Sequence, residues 1–321
     1  MRFSSLKDTT RQVTTEARSV VKRARLQQLP ASAQRLRWHR GLRVVFGLLL
    51  AACAAEPEDG VSPAASSETA TAATIRVASL SPLASRFALA IGAGDRIVGV
   101  DEVSARLPGL QGLPVVDLQA ALRLEPDLLL VGEVPAGDTG FDPARVPVST
   151  EFIEFAPHDL EDVIELCREV GGRLVGSARA NRFEMELSRP LARIGGASFG
   201  EPRPRVAAVV GFDPLELAGG HSFETDLIEI AGGSSVTHGS DEPRLAFDSN
   251  RWAELSPDLI WVVSSAELGE EERSAALDAL PPATRVVFFP FEPEFFWLDE
   301  PTETARRFRE LIIETARARA P

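Results

Sequence analysis

Asp117-Leu118-Gln119-Ala120-Ala121-Leu122-Arg123-Leu124-Glu125-Pro126-Asp127-Leu128-Leu129-Leu130-Val131 has a second copy in the chain. It is Asp248-Ser249-Asn250-Arg251-Trp252-Ala253-Glu254-Leu255-Ser256-Pro257-Asp258-Leu259-Ile260-Trp261-Val262. Each copy reads as a short helix capped by aspartate, a Leu-x-Pro-Asp turn and an apolar strand. Aspartate at the cap accepts from the first free backbone N–H groups. Proline cannot continue the helix, and the β-region preference of the residue before it redirects the chain into the strand. A strand apolar at every position, such as Leu128–Val131, is expected to be buried on both faces of a parallel sheet. Two copies far apart predict two lobes of similar layout rather than a solenoid, which needs at least three short-period repeats.

The flanking sequence fills in both lobes. Ile75–Ser79 reads as a strand, and Ser81-Pro82 as the cap and first position of a helix running to about Ile91. Ile97–Val100 is a further strand, and Pro147-Val148-Ser149 a short edge strand. Leu160, Val163, Ile164, Cys167, Val170 and Leu174 fall at helical spacing, with Cys167 on the apolar face. Ala178–Ile194 reads as a helix despite Pro190, a strut between the lobes. Beyond it come strands at Val206–Val210, Leu259–Val262 and Val286–Phe289, a helix from Ser222, and a last helix over about Thr302–Arg317. Alternating strands and helices imply an α/β fold of parallel sheets covered by helices.

The first 43 residues carry eleven Lys/Arg against Asp8 and Glu16, a head of +9, leaving −22 on the rest of a chain whose total is −13. Both lysines, Lys7 and Lys22, lie in the head. So acidic a body excludes nucleic acid as the main partner, because binding phosphates takes clustered Lys/Arg. Arg35, Arg37, Arg40 and Arg43 precede the apolar run Val44–Leu50, which is too short to span a bilayer and reads as a secretory signal core. It ends in Leu50-Ala51-Ala52-Cys53, which resembles the bacterial lipobox, whose cysteine is acylated. The alternative is an ordinary signal peptide with an incidental cysteine. Residues 1–52 are thus read as basic extension and signal peptide, and 53–74 as a flexible tether rich in Ala, Ser, Thr and Pro. With two cysteines a Cys53–Cys167 disulfide fits the count, but the lipobox commits Cys53 to lipid. No CxxC pair exists, which removes a zinc ribbon or thioredoxin-type site.

Several stretches resemble the class III periplasmic binding proteins, the family that carries cobalamin, ferric siderophores or haem. They are Arg76–Pro82, Ile97–Val100, Leu124–Leu128 and Phe223–Gly233, with the second Pro-Asp motif. The resemblance implies two Rossmann-like lobes joined by a rigid helix, here 75–176, 177–197 and 204–321. It implies a corrinoid, ferric-siderophore or haem-like ligand in the cleft, an ABC importer permease as partner, and no catalysis. The chain is then expected to be exported and lipid-anchored to the cell envelope, with no cofactor of its own. The other reading is a divergent binding-protein fold reused as a non-transport interaction lipoprotein.

Ligands of open α/β sheets sit beyond the carboxyl ends of the strands. That rule, with the aromatic run after Val286–Phe289, gives the candidate ligand-binding residues Ser81, Asp101, Glu102, Phe212, Asp213, His221, Glu294, Phe295, Phe296 and Trp297. Aromatics offer large contact area to a broad ligand. His221 is read as an axial ligand to haem iron or cobalt, an orienting polar group, or a turn histidine. In the family, one surface glutamate per lobe pairs with transporter arginines. The equivalent positions here are Gln119 and Asn250, which lack the charge-assisted part of that pairing. No metal site is expected: the first lobe has no histidine before His158, whereas transition-metal receptors distribute several over both lobes. Tyrosine is absent throughout. No Gly-x-Ser-x-Gly elbow, Walker loop or strand-following Gly-x-Gly-x-x-Gly supports an enzyme.

Overall fold

Strands β1 (Val77–Leu80), β2 (Ile97–Val100), β3 (Leu128–Val131) and β4 (Glu151–Glu154) form a parallel sheet in the order β2-β1-β3-β4. The structure is a computed structural model that describes residues 74–133, 146–265, 268–282 and 284–317. The segments read as signal peptide and tether, Cys53 included, therefore lie outside the described residues apart from Thr74. Helix α1 (Pro82–Ala90) starts at Ser81, whose hydroxyl accepts from the Ala84 N–H, and α2 (Leu118–Arg123) starts at Asp117, which accepts from Ala120. Phe87, Ala88 and Leu130 are fully buried, so the β3 strand is covered on both faces as its unbroken apolar run requires.

After β4, α3 (Leu160–Leu166) continues through a π-helical turn at Cys167–Gly171 into α4 (Gly172–Val175). Cys167 is a free, buried thiol in the core. Helix α5 (Ser177–Gly196) then joins the two halves, unbroken by Pro190. It buries one stripe, Ala180, Leu187, Leu191 and Ile194, and leaves the rest wet.

The second half contains β5 (Arg205–Phe212), β6 (Leu215–Ala218), α6 (Phe223–Ile230), β7 (Ser234–Ser235), β8 (Arg244–Ala246), α7 (Trp252–Leu255), β9 (Leu259–Ser264), α8 (Glu270–Asp278), β10 (Arg285–Pro290) and α9 (Pro301–Arg317). Its sheet runs β10-β9-β5-β6-β8, with β7 on β5. The architecture is α/β, two Rossmann-like lobes with separate sheets joined by α5.

The repeat is structural as well as sequential. The Arg76 N–H donates to Asp127 at 2.8 Å, and the Arg76 guanidinium to the Leu124 carbonyl at 2.8 Å. In the second lobe Arg205 makes the same two bonds, to Asp258 and Leu255, each at 2.8 Å. Each arginine thus ties the start of its lobe's first strand to the Pro-Asp turn and answers the last carbonyls of the preceding helix.

Three sequence expectations are corrected. The residues before the two prolines are left-handed, Glu125 at φ 48° and Ser256 at φ 42°, not extended. Stopping the helix with a left-handed residue outweighs the pre-proline preference in both copies. Pro147–Ser149 is not a strand; the edge strand is Glu151–Glu154, where Ile153 reaches the core. The second sheet is mixed rather than parallel, because β6 pairs antiparallel with both β5 and β8.

Candidate functional site

The segment after β10 crosses from the second lobe to the first. Trp297 is 2% exposed, and its ring centroid lies 5.8 Å from Phe87 on α1, 6.4 Å from Phe155 after β4 and 6.5 Å from Phe183 on α5. Phe296 packs against Phe291 and Phe223 and is 3% exposed. Phe295 is partly exposed under the Arg86 guanidinium, 4.6 Å from its centroid, and Arg86 also pairs with Asp299. A cavity of about 100 Å³ remains between Phe291, Glu292, Phe295, Phe296 and Asp299. The expectation that Phe296 and Trp297 line an open cleft is thus corrected: both are core residues of the lobe junction. Four aromatic rings can meet there, and burying them outweighs holding them ready for solvent.

A polar side of the junction is built around His221. Gly219 and Gly220 precede it, and a Cβ at either would collide with the backbone of Glu242, His238 or Ser240, so only glycine lets this loop close. Ser222 then caps α6, accepting from Thr225 at 3.2 Å. The His221 Nε2 lies 3.1 Å from Asp162 Oδ2, and Nδ1 lies 3.6 Å from Asp159 Oδ2; both carboxylates belong to the first lobe. Across the same boundary the Leu160 N–H donates to Asp226 of α6 at 2.7 Å. Burial works against the His221 imidazolium, but Asp162, Asp159 and Asp226 together outweigh it and raise its pKa. Burial dominates at Asp226, whose carboxyl is pushed up to about 8.

Asp159, Asp162 and His221 bring ligand-type atoms within 4.8 Å of one another, a geometry that could hold a metal ion. The sequence reading expected no metal because it counted histidines per lobe. The structure places two carboxylates from the first turn of α3 beside one imidazole from the other lobe. The only sequence signal was His158-Asp159-x-x-Asp162, which reads equally well as a helix start.

The other expected site residues are dispersed. Ser81 is buried, its hydroxyl used as the α1 cap. Asp101 accepts from the Val103 and Ser104 N–H groups at 2.9 and 3.0 Å, closing its own turn. Glu102 pairs with Arg106 at 3.0 Å, and Glu294 and Asp213 are exposed. Phe212 is 38% exposed and lines a groove of about 460 Å³ at the carboxyl ends of β5 and β9, with Val210, Val263, Leu268 and Ala276. Gln119 and Asn250 are exposed at matching positions, each two residues after its aspartate cap.

This arrangement of two lobes, one connecting helix and a junction at the strand ends is the fold of the class III periplasmic binding proteins. The structure matches an ABC transporter substrate-binding protein from Listeria monocytogenes EGD-e with a TM-score of 0.60 at 16% identity, covering 75% of this chain and 99% of that one. It matches the periplasmic haem-binding protein RhuT from Roseiflexus sp. RS-1 with a TM-score of 0.52 at 18% identity, covering 76% and 99%. In sequence the chain is similar to the vitamin B12-binding protein of Vibrio vulnificus strain YJ016, 24% identical over 254 residues, 74% of this chain and 89% of that protein. No protein-family model matches the chain.

Proposed function

We propose that this chain is an exported solute-binding protein, not an enzyme, that captures a cobalamin-, siderophore- or haem-like ligand between its lobes for an ABC importer. One observation carries the reading: two separate α/β sheets on a rigid helix, in a chain similar along most of its length to a vitamin B12-binding protein. The ligand-facing groups are then the accessible members of the expected set: Phe295, Phe212, Asp213, Glu102, Glu294 and the edge of His221. Ser81, Asp101, Phe296 and Trp297 support the wall behind them. Residues 1–52 are removed as a signal peptide, Cys53 carries the lipid, and residues 53–74 tether lobes at 75–176 and 204–321, joined through 177–197.

The full chain should be melted with cyanocobalamin, haemin or a ferric siderophore. A ligand that binds only the native state raises the melting temperature with concentration. A saturable rise with one class supports the reading, and no rise with any of the three overturns it. Metabolic labelling with a palmitate analogue tests the anchor. Label lost in Cys53→Ser supports it, and an unlabelled parent chain contradicts it.

The exposed neutral amides at Gln119 and Asn250 favour a second reading, an interaction lipoprotein that no longer docks on an importer. Failure to bind any permease of this transporter class, in a protein that still binds ligand, would select it.

A further inference from the structure

We propose that Asp159, Asp162 and His221 form a divalent-cation site that clasps the first lobe to the second. Three observations meet at this point. The donors come from both lobes: Asp159 and Asp162 from the start of α3, and His221 from the glycine loop before α6. The donor set is mixed oxygen and nitrogen, and a second imidazole, His158, lies with its ring centroid 5.9 Å from that of His221.

The third observation is a charge deficit. Elsewhere, buried and partly buried acids are answered by arginine: Glu224 by Arg244 at 2.8 Å, Glu184 by Arg168 at 2.9 Å and Glu229 by Arg203. At the junction Asp159 and Asp162 converge, with Glu161 and Glu165 on the same helix, and no arginine among the described residues lies within ion-pair distance of either aspartate. One imidazole answers two carboxylates, so even a charged His221 leaves one negative charge that a divalent cation in its place would cover.

Imidazole with carboxylates suits a first-row divalent ion such as Zn²⁺, whereas Mg²⁺ and Ca²⁺ take all-oxygen shells. Three protein ligands leave a fourth position for water or for His158. The inference goes beyond the solute-binding reading and stands whichever ligand the lobes take.

The test uses the full chain, stripped with chelator and titrated with ZnCl₂ by calorimetry. One saturable site per chain is expected. Removing only a hydrogen-bonding partner of a metal ligand typically costs 10–100-fold in affinity, so loss of a ligand itself, in His221→Gln or Asp162→Asn, should weaken binding by at least about tenfold. His238→Ala should leave it unchanged. His221→Gln retains a hydrogen-bonding side chain, and equal melting temperatures in chelator show that the variant folds. Hydrogen exchange should show Zn²⁺ protecting residues 157–166 and 219–227 together. Absence of saturable binding, affinity unchanged in His221→Gln (an adventitious surface ion only), or protection in one segment alone overturns the clasp. A cobalamin, haemin and siderophore titration on the metal-free chain reports separately on the solute-binding reading.

Discussion

Trp297 of the second lobe packs with its ring centroid 5.8 Å from that of Phe87, a fully buried residue of the first lobe. One lobe therefore contributes a side chain to the core of the other. Any movement that parts the lobes at this point must withdraw an indole from an aromatic nest.

Replacing Trp297 with alanine should cost about 3–5 kcal/mol of stability, the usual range for deleting a buried large aromatic. Trp297→Phe should cost much less. The Trp297 Nε1 is buried with no hydrogen-bond partner among the described residues, so phenylalanine relieves a desolvation penalty while it leaves a smaller void. Denaturant unfolding of both variants checks this. Equal losses would show that the indole nitrogen is satisfied.

Asp226 should make stability fall as pH rises. Its folded pKa, about 8, lies above the ordinary 3.8, because burial favours the neutral acid. Above about pH 4 the unfolded chain releases this proton while the folded chain keeps it, so the contribution declines up to about pH 8 and is then flat. Asp226→Asn keeps an acceptor for the Leu160 N–H and removes the titration. In chelator, its melting temperature should match the parent's near pH 4 and exceed it at pH 8. Parallel profiles would contradict the assignment.

Cys167 should resist alkylation in the native state. Burial, with Glu184 adding to it, pushes its thiol up to about 12, and the reactive thiolate is then absent at pH 8. In Cys53→Ser protein, iodoacetamide should label Cys167 only after denaturation. Rapid native labelling would mean that the α3–α5 packing opens.

Gln119 and Asn250 should make docking on an importer weakly dependent on salt. Charged partner sites accelerate association and make it salt-sensitive. The double substitution Gln119→Glu, Asn250→Glu should strengthen binding to a permease of this transporter class at low salt and steepen the salt dependence. No gain, in a protein that already binds well, would place the docking surface elsewhere.

The lobe architecture was legible because it rests on local chemistry. Asp117 and Asp248 cap their turns, and a Leu-x-Pro-Asp turn follows each helix, so the repeat and the parallel strands β3 and β9 could be read directly. The site was less legible because it rests on long-range partners. Phe296 and Trp297 read as ligand-facing until Phe87, Phe155, Phe183 and Phe223 enclose them. His221 meets Asp159 and Asp162 across some sixty positions, and no periodicity reports that pairing. The β6–β8 pairing was hidden because both strands are short and half exposed.

The central claim is that one broad ligand binds between the lobes, and calorimetric titration of the full chain with cyanocobalamin, haemin and a ferric siderophore tests it most directly. The account predicts saturable binding of one ligand class at one site. It also predicts weaker binding in Phe295→Ala, with the melting temperature of the unliganded protein nearly unchanged. No saturable heat with any of the three, or binding that Phe295→Ala leaves untouched while Phe212→Ala abolishes it, would contradict a site at this junction.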